Sequence, residues 1–107
     1  MAIENIFLLE NATAVAAGAT HSPNFKSKTF QLSGSTTDGT GAAEVDVEIS
    51  NSAIVGTWGK LGTITLVLGT TITSDSFPSD VAYAHYRGNV KSISGTGAKV
   101  TLSMRGV

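Results

Sequence analysis

The stretch Glu44-Val45-Asp46-Val47-Glu48-Ile49-Ser50 alternates acidic and apolar residues without a break. Strand side chains point to opposite faces with a period of two, so this run reads as a strand with one dry and one wet face. Val45, Val47 and Ile49 go to the core, and Glu44, Asp46 and Glu48 face outward. A helix would scatter these six side chains around its circumference.

The same period continues downstream. In Leu61–Leu68, Ile64, Leu66 and Leu68 alternate with Thr63, Thr65 and Val67, and the threonines favour extended backbone. A long strand is expected from about Ala82 to Ile93, with a bend or bulge near Gly88. The last strand, Ala98–Met104, buries Ala98, Val100, Leu102 and Met104 and exposes Lys99, Thr101, Ser103 and Arg105. Ser94-Gly95-Thr96-Gly97 lies between these two strands and reads as a hairpin turn.

Upstream the pattern is weaker. Lys28–Ser33 holds Phe30 and Leu32 in alternation and is a strand. Ala12–Ala17 is a small-residue stretch read as an edge strand, and Ile3–Leu9 fits either a strand or a helical turn. Gly34–Ala43 and Thr70–Asp80 read as exposed loops, the second carrying Phe77-Pro78 between Asp75 and Asp80. Six to eight short strands joined by Gly/Ser/Thr turns predict an all-β fold. The expected form is an antiparallel, jelly-roll-like β-sandwich, with a small barrel as the competing architecture.

A chain of 107 residues is one domain, 1–107, with 1–27 read as an extended arm plus an edge strand. Its own core provides modest stability, and the absence of cysteine removes disulfides and thiolate chemistry. The net charge of −1 disfavours nucleic-acid binding, and no apolar run approaches the ~18 residues of a membrane helix. Met1-Ala2-Ile3-Glu4-Asn5 lacks a basic region, so no cleaved leader is expected and synthesis in the cytoplasm is. Charged residues make up only 14 %, against the usual quarter, and hydroxyl and small residues replace them. Such a surface suits a protein that is covered by neighbours.

The chain offers no catalytic set, no cofactor motif and no metal cluster. Neither of the two histidines, His21 and His85, has a legible nucleophile or acid beside it in sequence. The row Glu44, Asp46, Glu48 is expected to pair with Lys91, Lys99, Arg87 or Arg105 rather than to bind calcium. Trp58 is expected to pack at one end of the sandwich, with sugar stacking as the less favoured role. Asn11-Ala12-Thr13 matches a glycosylation sequon but says nothing without a leader, and the Gly-rich loop lacks the lysine and following helix of a phosphate cradle. Expected interface residues are Ile3, Ile6 and Phe7 of an N-terminal arm, Phe77 and Pro78 of a loop, and a Tyr83/His85/Arg87 face. Ala2–Leu9 is read as an arm able to add a strand to a partner's sheet edge, and removable without unfolding the sandwich.

Four segments together carry a resemblance. They are Val45-Asp46-Val47-Glu48-Ile49-Ser50-Asn51, Trp58-Gly59-Lys60-Leu61-Gly62-Thr63-Ile64-Thr65-Leu66, Tyr86-Arg87-Gly88-Asn89-Val90, and Ile93-Ser94-Gly95-Thr96-Gly97-Ala98-Lys99-Val100. In strand order and spacing, residues 28–104 resemble small β-sandwich virion structural proteins of tailed bacteriophages. The resemblance implies a non-enzymatic capsid decoration or cement protein on the virion surface. Its implied partners are the major capsid protein and copies of itself, a homotrimer being favoured, with neither nucleic acid nor membrane involved. The alternative is a tail- or fibre-associated structural or carbohydrate-binding module, which predicts an exposed aromatic platform near Trp58, Phe77, Tyr83 or Tyr86.

Overall fold

The computed structural model describes residues 4–52, 57–81 and 83–106. Among these there are seven strands and no helix. They are β1 Glu4–Ala12, β2 Lys28–Ser35, β3 Gly41–Ser50, β4 Gly59–Leu68, β5 Thr73–Ser79, β6 His85–Ser94 and β7 Lys99–Gly106. All pairings are antiparallel, in a four-stranded sheet β1-β7-β2-β5 and a three-stranded sheet β4-β3-β6. The expected two-sheet antiparallel sandwich is therefore what forms; the strand orders do not establish a jelly roll.

The inner faces follow the period of two read from the sequence. Phe30 and Leu32 of β2, and Val100, Leu102 and Met104 of β7, are buried on one side. Val45, Val47 and Ile49 of β3, Ile64, Leu66 and Leu68 of β4, and Tyr86 and Val90 of β6 are buried on the other. These side chains form one cluster, joined by Leu8 and Leu9 of β1. The sheets approach closely at Gly88, where a Cβ would lie 2.7 Å from Leu9 and 2.8 Å from Leu102. Only glycine lets Leu9 reach across that gap.

Several connections differ from expectation. Ser94–Gly97 is not a hairpin, because β6 and β7 belong to different sheets. The turn takes the chain from one layer to the other, with Gly95 and Gly97 at positive φ and Ala98 donating to the Gly95 carbonyl at 3.2 Å. Such a turn carries the same glycines whether its strands pair or part. The Thr70–Asp80 loop contains β5, which pairs with β2 from Lys28↔Ser79 to Gly34↔Thr73. Pro78 is tolerated there because β5 lies at a sheet edge, where an amide need not be paired on both sides. The irregularity of β6 lies at Lys91, skipped between the pairs Glu44↔Ser92 and Val45↔Val90, rather than at Gly88.

The first 27 residues divide into two parts. Within Ile3–Leu9, the described residues belong to strand β1, paired with β7 and bulged between Phe7 and Leu9; the bulge is how both Leu8 and Leu9 turn inward. Beyond Ala12, the stretch to Ala17 is not the expected edge strand. It leads into a strap along the outer edge of β6. There Val90 donates to Ala16, Gly18 to Gly88, and His21 and Tyr86 exchange backbone bonds at 2.9 and 2.8 Å. The strap thus satisfies an edge that would otherwise present unpaired amides.

Because β1 supplies Leu8 and Leu9 to the core, Ala2–Leu9 is not a dispensable arm. Deleting residues 2–9 is expected to abolish the cooperative unfolding transition seen by circular dichroism. Leu102→Ala is expected to destabilise the chain by about 2–5 kcal/mol in urea titrations.

Candidate functional site

With the inner faces assigned, the outward positions of the four-stranded sheet follow from its register. One row across the sheet is Ser76, Gln31, Ser103 and Phe7; the next is Pro78, Thr29, Arg105 and Asn5; a third begins Ser74, Ser33, Thr101. Between Lys99 and Arg105, at the two ends of β7, the outward positions of β5, β2 and β7 carry no charge; on β1, exposed Glu10 stands at the margin beside Thr101. Hydroxyl and amide groups dominate, flanked by exposed Phe7 on β1 and exposed Pro78 on β5. At the Arg105 end the face dips into an open cleft of about 370 Å³ lined by Ser27, Thr29, Pro78, Asp80 and Arg105. Ser27 donates to Asp80 at 3.0 Å on its rim.

The outer face of the three-stranded sheet is different. Arg87 donates to Glu48 at 2.7 Å, Asn89 donates to the other Glu48 oxygen at 3.2 Å, and the Arg87 guanidinium stacks 4.4 Å from the Trp58 ring centroid. Thr63 donates to Asp46 at 2.7 Å. Of the acidic row, only Glu44 is fully exposed; Asp46 is 7 % exposed and Glu48 is half-buried. Asp46 faces outward as expected, but the Thr63 and Asn89 strands flank it and shield it. The charge pairing of the row is met by Arg87. Lys99 and Arg105 lie on the other sheet.

The expected interface residues do not share one surface. Phe7 and Pro78 lie together on the uncharged face. Ile6 and Phe77 point inward, Phe77 lying 5.2 Å from the Phe30 ring. Ile3 falls outside the described residues. The Tyr83/His85/Arg87 face is split, because β6 begins at His85 and the alternation does not extend back to Tyr83. Tyr83 packs against the core and its amide donates to the Tyr86 hydroxyl at 3.1 Å. His85 and Arg87 do share the outer face, where His85 Nδ1 and Ser22 Oγ share a 2.7 Å hydrogen bond that ties the strap to β6.

The four aromatic residues expected near a sugar platform are also dispersed. Tyr86 is buried, Phe77 faces Phe30, Tyr83 packs on the core, and one face of Trp58 is taken by Arg87. Trp58 therefore packs, but on an arginine of the outer face rather than as a plug at the sandwich end.

Lys28 was not legible as a special residue, although its phase with Phe30 and Leu32 pointed inward. It is buried at the end of the sandwich, with its ammonium donating to the Val81 carbonyl and lying 5.5 Å from the Tyr86 ring. The Tyr86 hydroxyl also donates to that carbonyl, at 3.3 Å. The group closes the end of the core with paired polar atoms rather than an orphaned charge. Comparison with known protein families, characterised proteins and solved structures finds no match.

Trp58 is the only tryptophan, so the Arg87 stack has its own optical signal. Arg87→Ala is expected to shift tryptophan emission to the red. The same change removes the charged partner of Glu48 and is expected to cost about 1–3 kcal/mol in urea titrations.

Proposed function

We propose that this chain is a non-enzymatic virion structural protein of a tailed bacteriophage: a capsid decoration or cement protein. In this reading it docks on the major capsid protein through the outer face of β5-β2-β7-β1, sits on the capsid surface, and acts as a homo-oligomer, with a trimer favoured. The observation that carries the reading is the uncharged, hydroxyl- and amide-rich outer surface of β5, β2 and β7 between Lys99 and Arg105, bordered by Phe7 and Pro78, with Glu10 at its β1 margin. The centres of protein interfaces are depleted of charge, because a charge is costly to strip of water. Hydroxyl and amide groups exchange water for partner atoms at little net cost. Arg105 at one end supplies a directional contact to an acidic group of the shell.

The mechanism is additive. Each copy covers a modest area, but a linked oligomer holds several shell subunits at once, so releasing one means breaking contacts to all. The strand resemblance over residues 28–104 supports the same reading. Association with tails instead of heads is the other arm of the test.

Quantitative mass spectrometry of separated heads and tails from the encoding phage is expected to find hundreds of copies on heads. A few copies, or copies on tails alone, would contradict the proposal. Gln31→Glu places a charge at the centre of the face. It is expected to reduce the head-bound copies about tenfold, while stability stays within about 0.5 kcal/mol of the parent chain.

A further inference from the structure

Three strand edges are open among the described residues: the outer edges of β1, β5 and β4. They are not equivalent. β5 carries Pro78, and Asp75 lies opposite buried Leu32, so a charge occupies an inward position; both are devices that stop a strand from recruiting another. β1 carries acidic Glu10 and no base along Glu4–Ala12, and an open groove of about 490 Å³ runs beside it, between Phe7–Thr13 and the strap. β4 carries the base Lys60 and no acid, and it displays Val67 at 78 % exposure. Neither proline nor an inward charge blunts it.

We propose that β1 of one copy pairs antiparallel with β4 of a second copy, and that this is how the chain self-associates. One register meets every constraint. Asn5 lies opposite Thr65 and Phe7 opposite Thr63, all outward-facing; Ile6 lies opposite Ile64, both inward; and Glu10 lies opposite Lys60. The register also sets the first bulge of β1, between Phe7 and Leu9, against the bulge of β4, between Gly62 and Lys60; the second shift of β1, between Leu9 and Ala12, lies at the Glu10 end of the joint. These two irregularities cancel, and from Asn5 to Glu10 paired side chains keep to the same face. Pairing β1 with itself would instead leave Glu10 with no base to face, since β1 carries none.

The contact joins two different edges, so it is head-to-tail and leaves a further β1 and β4 free at each end. It closes into a ring or continues as a filament. Each joint merges the four-stranded sheet of one copy with the three-stranded sheet of the next. The inference concerns the purified chain alone and does not rest on the capsid reading, so either can fail without the other.

The chain has no cysteine, so engineered thiols report the contact without background. Asn5→Cys and Thr65→Cys are both at exposed positions. Mixed with a short thiol-to-thiol cross-linker, they are expected to give a covalent dimer that neither gives alone. Circular dichroism of each variant checks that it is folded. Glu10→Lys and Lys60→Glu are each expected to weaken association about fivefold in light scattering, and the double variant to restore it. A chain that stays monomeric at millimolar concentration would overturn the inference. So would Thr65→Cys coupling to itself in place of Asn5→Cys, because that is the signature of β4 pairing with β4.

Discussion

The structure depends on the interlocking of two inner faces, Phe30, Leu32, Val100, Leu102 and Met104 on one side and Val45, Val47, Ile64, Leu66 and Val90 on the other. Each of these residues is at most 4 % exposed. Burying them is the main favourable term available to a chain without disulfides. The constraint sets the rest. β7 lies between β1 and β2 and presents three core residues, so the last strand of the sequence completes the first sheet. Leu9 can cross to the opposite layer only because Gly88 leaves room. The strap can pass between β6 and β1 only because Gly18 has no side chain, which would meet Leu8 and Leu9.

Packing the apolar residues inward divides the polar ones unequally. On the three-stranded sheet, Glu48, Arg87, Asn89, Trp58, Asp46 and Thr63 satisfy one another. That face holds Glu48, Arg87 and Asp46 in internal contacts and leaves Glu44, Lys60 and Lys91 exposed. On the four-stranded sheet, the outward charges lie at the ends of β7 and at Glu10 on the β1 margin, and leave an uncharged centre over β5, β2 and β7. The two outer faces are thus suited to different neighbours: one charged and in part bonded to itself, the other more easily stripped of water.

Much of the fold was legible because strands with one buried face write a period of two. β3, β4 and β7 follow that pattern along their length, and their buried residues are those the alternation marks. β5 was hidden because Thr73–Ser79 contributes only Phe77 to the core; a Ser/Asp/Pro-rich edge strand has the composition of a loop. The partnership of β6 and β7 was misread because a glycine turn does not encode whether its strands pair or change sheets. The site was less legible still. Phe7 and Pro78 were found by residue type, yet the uncharged face connecting them is made of Ser, Thr, Gln and Asn from four strands distant in sequence. Only the register brings them together. Asp46 was placed outward by parity, but parity does not show how strongly the adjacent strands shield a short side chain.

The most direct test of docking through the four-stranded face is hydroxyl-radical footprinting of the free chain and of the chain on particles. Pro78 lies on that face, away from the β1 and β4 edges, while Trp58 and His85 lie on the opposite one. The account predicts that Pro78 loses most of its reactivity on particles while Trp58 and His85 keep theirs. Protection of Trp58 and His85 with Pro78 unchanged would contradict it.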